Sequence, residues 1–238
     1  MESVKNKNIL IVGASGGIGA ATSRLLSASN ATVFLAGRNT EKLQEVATAC
    51  NIPAERIFVA EISNENEVQT MAEKIHATVS QLDILINASG IGIIKPIETL
   101  SSEDFIKTIN ANLLGSFFLV KAFLPKMKEA KKGLIINIPG VLGKVPMAGA
   151  AAYSASKYGL VGMMQSIREE LKRTEIRITN IYLGGVDSPF WDSIDMRVQR
   201  EKMIQAEEAA KAIWFLCQQP VSGVVSEMVL QPFNHQAI

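Results

Sequence analysis

The chain has 238 residues, of which 47% are hydrophobic, and its 24 basic and 23 acidic side chains give a formal net charge of +1. This length and composition predict one α/β domain over residues 1–238 with a large apolar core. The balanced charge argues against electrostatic binding to nucleic acid or to an anionic membrane surface. The most apolar stretch, residues 113–124, contains Lys121 and is too short to cross a bilayer.

Cysteine and histidine usage excludes two further classes of protein. Cys50 and Cys217 have neither disulfide nor metal-ligand spacing, as is usual in a reducing compartment. The first apolar run begins at Asn8 and leaves no room for a signal peptide, so a cytoplasmic protein is predicted. Neither His76 nor His235 has a second ligand at metal-binding spacing, and no metal site is predicted.

Short apolar runs alternate with helical patterns along the whole chain. This alternation predicts a doubly wound parallel sheet of about seven strands with helices on both faces. The longest helix is expected over residues 103–131, with Gly133 as the glycine of its cap, and the last over residues 207–217. The predicted strands are residues 8–12, 32–36, 56–59, 84–87, 134–138, 177–182 and 224–230.

A glycine-rich turn follows the first predicted strand, and residues 20–28 after it have helical composition. Its glycines have the spacing Gly-x-x-x-Gly-x-Gly. A strand, a tight turn and a helix N-terminus form an anion site, because backbone N–H groups and the helix dipole face a pyrophosphate. The alternative is a flexible turn without a ligand. In a Rossmann-like fold the residues expected at the dinucleotide are Gly13, Ser15, Gly17, Ile18 and Gly19.

The end of the second predicted strand bears on the choice of nucleotide. An NAD-preferring site places an acidic residue there for the ribose 2′-hydroxyl, whereas an arginine can pair with a 2′-phosphate. The sequence Ala36-Gly37-Arg38-Asn39 offers a guanidinium and no carboxylate. Arg38 therefore favours NADP(H) over NAD, with a solvated surface charge as the alternative reading.

Tyr153 and Lys157 lie four residues apart in a helical pattern. Side chains at this spacing point the same way from a helix. A free tyrosine has a pKa of about 10, and a neighbouring lysine cation is expected to lower that pKa towards neutrality. The pair is therefore a candidate acid/base, although helices without such chemistry also contain this spacing.

These motifs, in this order, resemble the short-chain dehydrogenase/reductase family over essentially the full length of the chain. The resemblance implies hydride transfer between NADP(H) and a small carbonyl or alcohol substrate. It makes Tyr153 the acid/base, Lys157 the residue that tunes it and holds the ribose, and Asn112 part of a proton relay. Asn110 is the competing candidate for the last role. The matching positions are Gly13, Gly17, Gly19, Asn87, Gly90, Asn112, Tyr153, Lys157 and the segment 179–189.

The resemblance also extends the expected nucleotide site beyond the glycine turn. Glu61 stands where the family usually has an aspartate that contacts adenine, and Ser188 keeps a hydroxyl for the nicotinamide carboxamide or a phosphate. The further residues expected at the nucleotide are Glu61, Ile62, Asn87, Gly90, Val186 and Ser188, together with Tyr153 and Lys157.

One position departs from the family pattern. A serine thirteen residues before the tyrosine normally donates a hydrogen bond to the substrate carbonyl, and here that position is Gly140. Losing one such donor typically costs on the order of 10²–10³ in rate, so reduced activity is expected. Ser154, Ser89 and the backbone N–H of Gly140 are alternative donors among which the sequence does not choose.

Residues 188–206, here named the lid segment, should cover the substrate if the family pattern holds. Phe190, Trp191 and Met147 indicate an apolar carbonyl or alcohol, or else they simply pack the lid. The resemblance further implies a homodimer or homotetramer. Because Gly140 removes the usual serine, the alternative function is a catalytically impaired NADP(H)-binding sensor or scaffold.

Overall fold

A sheet of seven parallel strands forms the centre of the computed structural model, which describes residues 2–234. The order across the sheet is β3-β2-β1-β4-β5-β6-β9, and β7 pairs with β8 in a separate short ribbon. This order confirms the predicted doubly wound parallel sheet. The strands are β1 Asn8–Val12, β2 Thr32–Gly37, β3 Ile57–Val59, β4 Ile84–Asn87, β5 Lys132–Asn137, β6 Glu175–Leu183, β7 Val186–Asp187, β8 Ile204–Gln205 and β9 Glu227–Leu230.

Helices cover both faces of this sheet. Successive side chains of a strand point to opposite faces, and the buried residues accordingly form two clusters. One cluster packs α3, α5 and α6 on one face, and the other packs α1, α2 and α7 on the opposite face. The helices are α1 Gly17–Ala28, α2 Thr40–Ala49, α3 Glu65–Thr78, α4 Ser102–Ile109, α5 Gly115–Ala130, α6 Ala151–Glu170 and α7 Ala206–Leu216.

The expected long helix over residues 103–131 is divided and ends differently. A π-helical turn, Asn110–Leu114, separates α4 from α5. The expectation that Gly133 caps the helix is wrong, because Lys131 takes the left-handed conformation with φ 58° and Gly133 lies inside β5. Since β5 already begins at Lys132, only Lys131 is left to reverse the chain.

The last strand is shorter than the predicted residues 224–230. Side chains satisfy the backbone before β9 begins, since the Val225 N–H donates to Gln219 Oε1 at 2.8 Å. The Val225 carbonyl accepts from Thr179 Oγ1 at 2.7 Å. These contacts replace ladder hydrogen bonds at that point, so regular pairing starts only at Glu227.

No helix within residues 2–234 is long and apolar enough to cross a membrane. That part of the chain also holds no group of three or more histidine, cysteine or carboxylate side chains suited to a metal ion. His235 lies outside the described residues.

The strand register brings distant sequence motifs to one edge of the sheet. Val12 of β1 pairs with Asn87 of β4, Asn87 with Asn137 of β5, and Asn137 with Asn180 of β6. The segments that follow these residues therefore leave the sheet at the same level. Ligands of open α/β sheets bind at this carboxyl edge.

Candidate active site

The glycine turn packs directly on the end of β4. Gly13 has φ 82°, and a Cβ placed on it would lie 2.7 Å from the carbonyl oxygen of Ala88. A Cβ on Gly19 would lie 2.2 Å from the carbonyl oxygen of Gly13. Neither position has room for a side chain. Because Gly16 at the N-cap has no side chain to bond the first turn of α1, that helix end is open to an anion.

The same turn also meets the start of the lid segment. A Cβ on Gly17 would lie 2.7 Å from Cβ of Ser188, which is itself buried. Val186, two residues earlier, pairs with Ile204 in the β7–β8 ribbon. The ribbon holds the two ends of the lid segment side by side. Gly17 and Ser188, two predicted nucleotide residues, are thus adjacent, and Val186 lines one pocket with both of them.

Asn87 organises the segment that follows β4. Its Nδ2 donates to Ser116 Oγ at 2.8 Å, and its Oδ1 accepts from Ser89 Oγ at 2.5 Å and from the Ser89 N–H at 3.3 Å. The hydroxyl of Ser89 is therefore already engaged, which argues against Ser89 as the substitute donor to substrate. Asn87 supports the backbone of the site through these bonds.

Asn112 lies in the π-helical turn and ties two other segments together. Its Oδ1 accepts from the Ile91 N–H at 2.8 Å, while its Nδ2 donates to the Ile91 carbonyl and to Ser156 Oγ, both at 3.0 Å. Ser156 in turn donates to the Tyr153 carbonyl at 2.7 Å. The side chain of Asn112 thus links the segment after β4 to the helix that carries the tyrosine.

Ser156 was missed by the sequence reasoning, although a signal was present. It lies within the Tyr-Ser-Ala-Ser-Lys motif, three residues after Tyr153. Ser154, the other serine of that motif, has a buried hydroxyl without a hydrogen-bond partner among residues 2–234. It does not line the pocket described below.

Tyr153 and Lys157 face the same space from α6, as their spacing predicts. The Nζ atom of Lys157 lies 5.4 Å from the centroid of the Tyr153 ring and donates to the Ile138 carbonyl at 3.2 Å. Gly90, with φ 153°, approaches closely, because a Cβ on it would lie 3.3 Å from that Nζ. The ring of Phe190 in the lid segment lies 5.9 Å from that of Tyr153.

Burial sets the protonation of this pair, and it reverses one expectation from the sequence. Desolvation lowers the pKa of Lys157 to about 8, and desolvation also raises the pKa of Tyr153 above its ordinary value. Lys157 therefore does not lower the tyrosine pKa in the way that the charge argument predicts. At neutral pH the phenol keeps its proton, which is the form that a proton donor needs.

A pocket of about 760 Å³ joins these elements. Its wall combines the turn at residues 16–19, the segment 88–90, the Tyr153–Lys157 pair and a large part of the lid segment. Apolar side chains dominate the remainder, including Met147, Phe190 and Trp191. This size and lining suit a small organic molecule beside a larger one.

Gly140 lines the pocket in a conformation that glycine alone adopts easily. Its φ is 68° and its ψ is 171°, a region essentially restricted to glycine. A Cβ there would have space, since its nearest neighbour is the Leu183 carbonyl oxygen at 3.5 Å. The backbone itself therefore disfavours a serine at this position.

Arg38, the residue predicted to bind the 2′-phosphate, forms an ion pair that the sequence analysis did not predict. Arg38 Nη1 lies 3.3 Å from Glu61 Oε2, and both side chains are partly exposed. The order of the strands indicates this pair, because β2 and β3 are parallel neighbours and the residues that follow them lie side by side. Ser63 N–H donates to the other carboxylate oxygen at 3.2 Å. Hydrogen bonds from Ser63 and the Arg38 cation outweigh desolvation and leave the pKa of Glu61 lowered.

Ile62, predicted to lie at the nucleotide, does not line the pocket described above. It is buried in the core, and a Cβ on Gly115 would lie 2.8 Å from its Cδ1. The side chain of Ile62 therefore packs against the start of α5.

Residues 7–199 match the family model for short chain dehydrogenase. The chain belongs to the short-chain dehydrogenase family. Similar curated proteins include an uncharacterised oxidoreductase of Staphylococcus epidermidis, 31% identical over 98% of this chain and all of the relative. A homologous uncharacterised oxidoreductase of Staphylococcus aureus is 30% identical over the same share of both chains.

Solved structures are similar to this chain as well. A metagenomic short-chain oxidoreductase in complex with NADP is 31% identical, with a TM-score of 0.83 over 97% of this chain and 99% of the other. An alcohol dehydrogenase of the archaeon Thermococcus sibiricus, complexed with 5-hydroxy-NADP, is 25% identical, with a TM-score of 0.87 over 98% and 100%. Members of the family use a nicotinamide cofactor and act on small molecules.

The lowered pKa of Lys157 predicts a pH-dependent stability. Between pH 8 and 10.5 the unfolded chain binds a proton at this lysine that the folded chain has lost, so the free energy of unfolding rises with pH. In urea unfolding without added nucleotide, the free energy of unfolding of wild type should increase across this range by up to roughly 3 kcal/mol more than that of Lys157→Met. The exposed Lys128→Met variant is the control and should follow wild type. Parallel curves for wild type and Lys157→Met would contradict the assigned pKa.

Proposed function

We propose that this protein is an NADP(H)-dependent oxidoreductase that interconverts a small, mainly apolar carbonyl compound and its alcohol. The observation that carries the proposal is that Tyr153, Lys157 and the glycine turn line one pocket. Membership of a family that uses nicotinamide cofactors supports it. The nucleotide, when bound, supplies or accepts the hydride at the carbonyl carbon.

Tyr153 is the proposed proton donor in the direction of reduction. As the hydride reaches the carbonyl carbon, negative charge develops on the oxygen, and the Tyr153 O–H gives its proton to that oxygen. Its raised pKa keeps it protonated near neutral pH. In the reverse direction the phenolate would take the same proton, and the raised pKa lowers the fraction of phenolate present at neutral pH.

Lys157 and Asn112 have different proposed roles. The Lys157 ammonium lies close to both Tyr153 and the Gly90 backbone, where it can hold a ribose hydroxyl and stabilise developing negative charge. The Asn112 side chain accepts one hydrogen bond and donates two, and all three are made with Ile91 and Ser156. Asn112 is therefore proposed as a positioning residue that orients α6.

Gly140 sets the expected level of activity. Without the usual hydroxyl, polarisation of the carbonyl falls mainly to Tyr153, and a rate lower by on the order of 10²–10³ than with that donor is expected. The glycine-restricted backbone at Gly140 also favours the second candidate function, a nucleotide-binding sensor or scaffold.

The test is NADPH oxidation by the purified chain with a panel of ketones and aromatic aldehydes, together with NADPH binding by fluorescence. Wild type should turn over at least one substrate, and Tyr153→Phe should lower kcat at least 100-fold while still binding NADPH, since the proton donor is lost. Tyr158→Phe, an exposed tyrosine on the same helix, is the matched control and should behave as wild type.

Two outcomes would contradict the proposed reaction. Turnover that survives in Tyr153→Phe would show that another group supplies the proton. Tight NADPH binding by wild type without turnover of any substrate would favour the sensor or scaffold.

The proposed preference for NADP(H) rests on Arg38. A guanidinium at the end of β2 can pair with a 2′-phosphate, and similar solved structures contain NADP or a derivative of it. Glu61 already pairs with this guanidinium, however, so a 2′-phosphate has to compete with its carboxylate. We therefore propose a preference for NADPH that Glu61 moderates.

Neutralising Glu61 should sharpen this preference. Glu61→Gln frees Arg38 from its counter-ion and should tighten NADPH binding about three- to tenfold with little effect on NADH. Arg38→Gln should weaken NADPH binding and again spare NADH. Fluorescence titration of both nucleotides with both variants checks this. Equal changes for NADPH and NADH in Arg38→Gln would contradict the assignment of Arg38 to the 2′-phosphate.

The remaining expectations are proposals of the same kind. A cytoplasmic location is proposed from the cysteine usage. A homodimer or homotetramer is proposed from the family resemblance, and exposed Phe105 and Ile106 on α4 with exposed Phe117 on α5 support it, because such apolar side chains are usual at interfaces.

A further inference from the structure

The charges that line the pocket have one sign. Its lining includes Lys157, Arg197 and Lys202, but no aspartate or glutamate of the described chain. Lys157 belongs to the proposed proton-transfer pair. Arg197 and Lys202, which both come from the lid segment, have no role in the reaction as proposed above.

Local ion pairs do not account for these two cations. The lid segment contains a third cation, Arg200, which pairs with Asp192 and lies 3.7 Å from Asp187. Arg200 thus lies beside two carboxylates, whereas the other two carboxylates of the lid segment, Asp195 and Glu201, form no ion pair within residues 2–234. Among the ion pairs of residues 2–234, none involves Arg197 or Lys202.

The anionic groups of the nucleotide have other expected partners. The diphosphate is expected at the turn and the open N-terminus of α1. The 2′-phosphate is expected at Arg38, beyond the end of β2. Arg197 and Lys202 instead come from the segment that also brings Phe190 beside Tyr153.

We propose that the substrate of this site is a carbonyl compound that carries a carboxylate, bound by Arg197 and Lys202 of the lid segment. The inference rests on the proposed function and narrows its substrate class. The apolar body of the substrate packs on Phe190 and Met147, while the guanidinium forms a charge-assisted, bidentate bond with the carboxylate. The substrate is therefore amphipathic, which an apolar pocket alone does not indicate.

Matched acids and methyl esters test this inference, because each pair differs mainly in charge. The probes are phenylglyoxylate, 4-oxopentanoate and 4-formylbenzoate, which place the carboxylate at three distances from the carbonyl, and the methyl ester of each. In NADPH oxidation, the acid of at least one pair should exceed its ester at least tenfold in kcat/KM. Esters equal to or better than acids in all three pairs would overturn the inference.

Variants locate the contact. Arg197→Gln and Lys202→Gln should each lower kcat/KM for the preferred acid at least tenfold, mainly through KM, and should leave the ester unchanged. Lys211→Gln, an exposed lysine of α7, is the charge-matched control and should have no effect. An equal loss for acid and ester with weakened NADPH binding would mean that these cations bind the nucleotide's phosphates, and would refute the inference.

A binding experiment separates this inference from the proposed function. Benzoate and benzamide are titrated into the NADPH complex while nucleotide fluorescence is followed. Benzoate should bind at least tenfold more tightly than benzamide, and Arg197→Gln should abolish the difference, even if no substrate is turned over. Turnover of neutral carbonyls without preferential benzoate binding would leave the oxidoreductase function standing and overturn the anionic substrate.

Discussion

Close backbone contact at the carboxyl edge of the sheet is the constraint on which the candidate site depends. Gly13 contacts the backbone after β4, Gly19 contacts Gly13, and Gly17 contacts Ser188 at the base of the lid. Since packed interiors do not accommodate even one extra methyl group without displacement, side chains at these positions would move the turn away from its neighbours. The pocket that contains Tyr153 and Lys157 requires those neighbours to meet.

The sheet could be predicted from the sequence because strand and helix periodicities alternate cleanly and short parallel strands need little further information. The π-helical turn could not. It accompanies hydrogen bonds from Asn112 to Ile91 and Ser156, which are distant in sequence. The Arg38–Glu61 ion pair could have been predicted in part, because it follows once β2 and β3 are known to be neighbouring strands.

The chemistry of the site differs from the sequence argument for one physical reason. A charge argument considers Lys157 as a full cation beside Tyr153, whereas burial acts on both groups and favours the neutral form of each. At Gly140, too, the sequence shows only part of the physical cause. The sequence reports a missing hydroxyl there, but the backbone conformation that makes serine unfavourable appears only in the fold.

The central claim is that the glycine turn and the start of the lid segment form one nucleotide site. Variants at the contact between Gly17 and Ser188 test this claim directly. NADPH affinity of wild type, Gly17→Ala, Ser188→Gly and the double variant should be measured by fluorescence titration. Gly17→Ala should weaken binding at least tenfold, because its Cβ meets that of Ser188. Ser188→Gly should cost less affinity in the Gly17→Ala background than in wild type, because there it also relieves this clash. Wild-type affinity in Gly17→Ala, or additive losses in the double variant, would contradict the account.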